Sequence, residues 1–139
     1  MQKKHIFFIA LLLYILLISL LLFCSFNNTE IRLPRTFLNI PIDKIAHFLM
    51  FAPFPFLCWA NLKFTSLKNR ANVIISLFFS IFLAASTEIA QMAFTNNRVG
   101  DINDFYADLT GITIGLIFTL LFGNAILKLV NRSKKIKNE

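Results

Sequence analysis

Four long runs of apolar residues limit what this chain can fold into more than any other feature. They cover about residues 6–26, 45–62, 71–94 and 109–127. At a rise of about 1.5 Å per residue, helices of this length cross or nearly cross a hydrocarbon layer of about 30 Å. A soluble chain of 139 residues, with 57% hydrophobic and 15% charged residues, could not bury so much apolar surface. We therefore predict an all-α integral membrane protein, a bundle of four transmembrane helices that forms one domain over residues 1–139.

Two of the runs have features that bear on their geometry. The first is longer than the apolar part of a cleaved signal peptide, which has about 7–15 residues, so we interpret it as a retained helix. The second contains Pro53 and Pro55. Because each proline removes a backbone donor, this helix is predicted to kink. Membrane helices tolerate such breaks where neighbouring groups satisfy the freed carbonyls.

The distribution of Lys and Arg predicts how the bundle lies in the cell membrane. Ten of these residues flank the runs on the side that holds both termini: Lys3, Lys4, Lys63, Lys68, Arg70, Lys128, Arg132, Lys134, Lys135 and Lys137. Four flank the other side: Arg32, Arg35, Lys44 and Arg98. Because basic flanks stay in the cytoplasm, both termini are predicted to be cytoplasmic. Basic clusters placed beside apolar runs indicate topology and contact with membrane lipids, so no nucleic-acid partner is expected.

The acidic residues are concentrated near one end of the predicted bundle. Of the seven in the chain, five lie at or near the outward ends of the second, third and fourth runs: Asp43, Glu88, Asp101, Asp104 and Asp108. Four polar or basic residues fall at the same level: Lys44, His47, Gln91 and Arg98. The topology therefore predicts a polar site at the external or periplasmic mouth of the bundle.

Most of these residues also have an ordinary structural explanation. Asp43 can cap the second helix, Lys44 can anchor it at the interface, and His47 can be a packed histidine. Glu88 is harder to explain, because a carboxylate inside a membrane span costs about 2.5 kcal/mol or more unless it is paired, hydrated or neutralised. We therefore expect Glu88 to face the bundle or a water-filled cleft, with a purely structural ion pair as the alternative.

A stripe of acids and glycines marks the start of the fourth helix. Five residues follow one another at spacings of three or four and therefore share one helix face. They are Asp101, Asp104, Asp108, Gly111 and Gly115. The two glycines form a surface of small residues that lets a neighbouring helix approach closely. The acids beside that surface are then directed into the mouth of the bundle, although the helix dipole alone also favours acids in a first turn.

Four short motifs of the chain, in this order, resemble those of the VanZ-like family. They lie between about residues 43 and 120: DKIAHF at 43–48, EIAQ at 88–91, RVGDIND at 98–104 and the glycines of the last helix. The first apolar run lies outside this motif region. Asp108 stands where the family often has asparagine, which adds a negative charge and favours either cation binding or a raised proton affinity.

The resemblance implies a small multi-pass bacterial membrane protein with a role in the cell envelope. The family takes its name from a protein linked to resistance to teicoplanin, a glycopeptide antibiotic that acts on the cell wall from outside. The implied role is therefore a location and a process, glycopeptide resistance, rather than a defined reaction. The family motif positions in this chain are Asp43, Lys44, His47, Glu88, Gln91, Arg98, Asp101 and Asp104.

One function that fits these residues is an enzyme that modifies lipid or phosphate headgroups at the outer leaflet. Acid–base catalysis would fall to His47, Glu88 and Asp104. Binding would fall to the remaining residues: Asp43, Lys44, Gln91, Arg98, Asp101 and Asp108. Asp101, Asp104 and Asp108 are candidates to hold a divalent cation such as Mg²⁺ through their oxygens.

The alternatives are a binding module and a purely structural bundle. In a binding module, Lys44, Arg98 and His47 would hold an anionic lipid or cell-wall-precursor headgroup without chemistry. In a structural bundle, the polar side chains would only join the helices to one another. The sequence predicts a polar membrane site without choosing between catalysis and binding, and it leaves the number of subunits open.

Overall fold

The computed structural model describes residues 3–23, 36–37, 39–94 and 102–133, most of which are helical. In chain order the elements are α1 (Lys3–Phe23), β1 (Thr36–Phe37), β2 (Ile40–Pro41), α2 (Ile42–Phe51), α3 (Phe54–Leu62), α4 (Asn69–Phe94) and α5 (Ile102–Ser133). Four helical segments are long and apolar enough to cross a membrane, namely α1, α2 together with α3, α4, and α5. The predicted all-α fold with four spanning helices is thereby confirmed.

The second span is broken in the middle, as its prolines predict. α2 and α3 are separated by a turn at Ala52 and Pro53. Pro53 and Pro55 carry no backbone N–H, so they leave carbonyls of α2 without their usual helical donors. At this break the hydroxyl of Tyr14, on α1, donates a hydrogen bond to the carbonyl of Met50 at 3.0 Å. The prolines remove the helical donors for the carbonyls of Leu49 and Phe51, so the bond from Tyr14 lies between those two positions and connects α1 to the break.

A short antiparallel hairpin leads into α2. Thr36 pairs with Pro41, and Phe37 pairs with Ile40. Asn39, in the turn, has a φ of 63°, a left-handed conformation that asparagine adopts more readily than most residues. Strands of two residues are too short to show the alternating pattern that predicts a strand, so the hairpin was not predicted.

α2 packs closely against α5 through the two glycines of the predicted stripe. A Cβ atom at Gly111 would overlap the carbonyl oxygen of Phe48 and lie 3.2 Å from the nitrogen of Ala52. A Cβ atom at Gly115 would overlap the carbonyl oxygen of Ala52 and lie 2.9 Å from its carbonyl carbon. These neighbours are backbone atoms, which cannot rotate away as a side chain can. The predicted packing surface of small residues is therefore confirmed.

An apolar core lies in the middle of the bundle. Its buried members come from all five helices: Ile18, Phe51, Phe54, Cys58, Ala84 and Ile112. Many other large apolar side chains of the four spans are exposed at the surface of the bundle. Exposure of that kind is expected where lipid rather than water surrounds a helix.

The two ends of the bundle differ in charge. At the end where α1 begins and α3 ends, Asn61 of α3 donates a hydrogen bond to the carbonyl of Phe7 on α1 at 2.9 Å. The indole N–H of Trp59 donates to Asn69, at the start of α4, at 3.2 Å, and the same ring lies against Gly123 of α5. The basic residues at this end, which we call the basic end, are Lys4, Lys63, Lys68, Arg70 and Lys128. At the opposite end, the polar end, α2 and α5 begin and α4 ends.

Candidate functional site

Three ionisable residues lie at one depth below the polar end. His47 is five residues into α2, Glu88 six residues before the end of α4, and Asp108 six residues after the start of α5. At about 1.5 Å per residue, each lies about 7–9 Å along its helix from that end. We call His47, Glu88 and Asp108 the inner cluster. Asp108 belongs to the helix because α5 begins seven residues before the predicted apolar run.

The centre of the inner cluster is a hydrogen bond between α2 and α5. Nδ1 of His47 and Oδ1 of Asp108 are 2.9 Å apart. His47 is 2% exposed and Asp108 is fully buried. The second carboxylate oxygen of Asp108, Oδ2, is buried and has no hydrogen-bond partner among the described residues. A carboxylate oxygen that has lost its water without gaining a hydrogen bond is costly to bury.

Glu88 brings α4 into the inner cluster. Its Oε1 lies 3.8 Å from Nδ1 of His47, and the residue is 8% exposed. Gln91, which follows on the same face of α4, is also buried. One ligand atom from each member of the inner cluster can be chosen so that all three lie within 4.8 Å of one another. This set of one imidazole and two carboxylates has the composition and the size of a metal-binding site.

An ion pair lies between the inner cluster and the polar end. Nζ of Lys44 is 2.7 Å from Oδ1 of Asp104, and both side chains are mostly buried. We call Lys44 and Asp104 the outer pair. Asp43 is more exposed, with its Oδ2 3.8 Å from Nζ of Lys44. The other oxygen of Asp104 lies 3.9 Å from Nε2 of His47, so the outer pair and the inner cluster are in contact.

The structure brings together six of the nine residues that the sequence assigned to the site. These are Asp43, Lys44, His47, Glu88, Asp104 and Asp108. Gln91 is buried on the same face of α4 as Glu88. Arg98 and Asp101 lie outside the described residues, so their predicted roles remain predictions. The two described acids of the α5 stripe have different partners, Asp104 contacting Lys44 and Asp108 contacting His47.

A groove between α4 and α5 reaches the inner cluster from the side of the bundle. It encloses about 290 Å³ and has a mainly apolar lining: Ala85, Glu88, Ile89, Met92, Ile102 and Phe105. The side chains of Ile89, Met92 and Ile102 are well exposed on the outer surface of the bundle. The groove therefore opens where lipid chains would surround the protein, and Glu88 is the carboxylate in its wall.

A stripe of buried polar residues along α4 was not predicted from the sequence. Its buried members are Asn72, Ser76, Ser80 and Thr87, and it continues toward Glu88 and Gln91. The hydroxyl of Ser80 donates to the carbonyl of Ser76 at 2.7 Å, so part of the stripe is satisfied within its own helix. Polar residues spaced four apart in an apolar run share one helix face, and this spacing could have predicted which face of α4 points into the bundle.

Comparison with known proteins extends the resemblance seen in the motifs. The family model described as VanZ/LLP1 matches residues 5–123 of the chain. The match includes most of α1, although the motifs were confined to residues 43–120. No curated protein and no solved structure matches the chain.

Proposed function

The chain belongs to the VanZ/LLP1 family, and from that premise we propose that it acts on lipid-linked anionic headgroups at the outer face of the cell membrane. The process in which it acts is cell-envelope physiology related to glycopeptide resistance, as the resemblance implies. In this proposal the inner cluster and the outer pair form the site, and the groove between α4 and α5 receives part of the lipid chain.

The observation that carries this proposal is the burial of the inner cluster next to a groove that opens toward lipid. Ionisable side chains in a membrane span are costly, and they commonly mark functional sites. Glu88 belongs both to the inner cluster and to the wall of the groove. A ligand with an apolar chain and a polar headgroup matches that combination better than a small soluble molecule does.

The distribution of basic residues between the two ends of the bundle supports an outward orientation of the site. The basic end holds Lys residues from α1, α5 and the connection between α3 and α4. Basic flanks tend to be retained in the cytoplasm, which supports an outward position for the polar end. Glycopeptides act on the cell wall from that side, so the orientation agrees with the role that the family resemblance implies.

The residues divide by position into two chemical roles. Lys44, together with Arg98 from the sequence prediction, would engage the negative charge of a headgroup near the mouth. His47 and Glu88 lie deeper and would accept or donate protons. Asp104 would position Lys44 and His47, since it lies near both side chains.

A structural role is the second candidate, because the polar contacts also join helices. The bond between His47 and Asp108 and the pair of Lys44 with Asp104 both connect α2 to α5. Interhelical hydrogen bonds in membranes average about 0.6 kcal/mol, so such contacts can stabilise a bundle without any ligand.

The two candidates are separated by complementing a deletion strain with single variants. We expect His47→Ala and Glu88→Gln to abolish complementation while the variants remain in the membrane at wild-type levels. His5→Ala is the matched control, because His5 is the other histidine and is exposed at the basic end. The readouts are teicoplanin susceptibility and profiles of membrane lipids and cell-wall precursors.

Each result of the complementation experiment has one meaning. Loss of function with normal protein level supports a site, and loss of folded protein supports the structural role. Full complementation by both variants would contradict the proposed function.

Orientation needs a separate labelling experiment. In a chain with Cys24 and Cys58 replaced by alanine, Thr36→Cys should react with a membrane-impermeant maleimide on intact cells. Lys63→Cys should react only after permeabilisation. The reverse pattern would place the site on the cytoplasmic side.

A further inference from the structure

We propose that the inner cluster binds one divalent transition-metal ion of the zinc type, with His47, Glu88 and Asp108 as its three protein ligands. The proposal goes beyond the function proposed above and replaces the proton-transfer role given there to His47 and Glu88 with metal binding. Its test does not depend on that function, because metal content is measured without reference to any lipid. It also differs from a cation held by the acids of α5, since its ligands come from three helices.

The spacing of the three side chains fits a metal ion. Tetrahedral zinc lies about 2.0–2.2 Å from nitrogen and oxygen ligands, which places those ligands roughly 3.3–3.6 Å from one another. In the structure, Nδ1 of His47 is 2.9 Å from Oδ1 of Asp108 and 3.8 Å from Oε1 of Glu88. These two separations lie on either side of the required one, and one ligand atom from each residue can be chosen so that all three lie within 4.8 Å of one another. Side-chain rotation would therefore be needed to close the three ligands around the ion.

The second, independent observation is the unsatisfied oxygen of Asp108. This residue is fully buried, and its Oδ2 has no hydrogen-bond partner among the described residues. Coordination of a cation by both oxygens of Asp108 would also satisfy Oδ2 and so replace the water that this carboxylate has lost. A metal ion between His47 and Asp108 would also take the position of the proton that they now share.

The neighbouring residues supply the support that metal-binding histidines usually have. A histidine that binds metal through one nitrogen generally donates its other N–H to a carboxylate. With Nδ1 of His47 on the metal, Nε2 would donate toward Oδ2 of Asp104, which is 3.9 Å away. Asp104 is itself held by Lys44 at 2.7 Å. The outer pair would thus fix the orientation of the ligating ring.

The donor set selects the class of metal. Imidazole nitrogen with carboxylate oxygens suits zinc and similar transition metals, whereas magnesium and calcium favour oxygen ligands. Three protein ligands leave a fourth position for water or for an oxygen of a bound molecule, as in catalytic rather than structural zinc sites.

The test is zinc binding by the purified full-length protein in detergent, after removal of any tag. We expect one zinc per chain by mass spectrometry of the metal, and a visible absorption band typical of tetrahedral coordination when Co²⁺ replaces Zn²⁺. His47→Ala and Asp108→Asn should weaken Zn²⁺ binding by at least about 10-fold. The matched control His5→Ala should bind as tightly as the wild type.

The experiment still tests the metal site if a variant does not fold. The Co²⁺ spectrum and the zinc content are measured on the wild-type protein, and a wild type without either signal overturns the proposal. Unchanged zinc affinity in a folded His47→Ala or Asp108→Asn protein also overturns it. Weaker zinc binding in those variants, with an intact control, supports the three-ligand site whether or not the lipid function is confirmed.

Discussion

Replacing Gly115 by alanine should force α2 and α5 apart and disturb the inner cluster at the same time. The new methyl group would overlap the carbonyl oxygen of Ala52 and lie 2.9 Å from its carbonyl carbon and 3.3 Å from its Cα. Carbon atoms prefer a separation of about 3.5–4.0 Å, so the two helices must move apart by on the order of 1 Å. Because Ala52 is at the end of α2, the movement is transmitted to His47 through that short helix.

The expected loss of stability combines three effects. Overpacking of this kind typically costs about 1–3 kcal/mol. Alanine recovers roughly 0.5–1 kcal/mol because it favours the helix more than glycine does. Lengthening the 2.9 Å bond between His47 and Asp108 by about 1 Å would break it. An interhelical bond in a membrane contributes about 0.6–1.7 kcal/mol, so the net destabilisation is about 1–4 kcal/mol.

Trp59 provides the assay, since it is the only tryptophan in the chain and is buried near the basic end. Its fluorescence during heating in detergent should report a lower unfolding midpoint, by roughly 2–4 °C per kcal/mol on the scale for soluble chains. The matched control is Ile114→Ala, which changes an exposed neighbour and should have a small effect. A Gly115→Ala protein that is as stable as the wild type, or more stable, would refute the reasoning, because helix preference alone predicts that result.

Two further contacts between helices lead to measurable expectations. Tyr14→Phe removes the hydrogen bond to Met50 at the proline break. The free energy of unfolding, measured in the same assay, should fall by about 0.6–1.7 kcal/mol. An unchanged free energy of unfolding would mean that water or lipid replaces the hydroxyl without cost. Lys44→Met should destabilise the protein more than Lys44→Met combined with Asp104→Leu, because the single change leaves a mostly buried carboxylate without this partner. A double-mutant cycle measures the coupling, and purely additive effects would contradict the ion pair.

Much of the fold could be predicted because the membrane leaves few alternatives. Helices satisfy their own backbone groups, so long apolar runs without charges predict spanning helices. The break between α2 and α3 followed from Pro53 and Pro55, and the contact between α2 and α5 followed from the spacing of Gly111 and Gly115. These predictions rest on local properties of the chain, which a sequence displays directly.

The partners within the site could not be predicted in the same way. The sequence placed His47, Glu88 and Asp108 at one end of the bundle, but their pairing depends on how far each helix is rotated about its axis. His47 bonds to a residue 61 positions away, and no local pattern specifies that distance. The uncharged run begins only at residue 109, after Asp108, whereas α5 begins seven residues earlier, where the spacing of the acids already indicated a helix face. The helix continues beyond Asp108 because contacts with His47 and Lys44 compensate its two acids.

The packing of α2 against α5 and the chemistry of the site depend on the same few atoms. Gly111 follows Asp108 by one helical turn, and it lies against the carbonyl of Phe48, the residue next to His47. The close approach that glycine allows is therefore what brings two short side chains, His47 and Asp108, within 2.9 Å of each other. A larger residue at Gly111 would widen that gap beyond their reach. The glycines thus have a second role besides packing, since they set the helix separation that holds the inner cluster together.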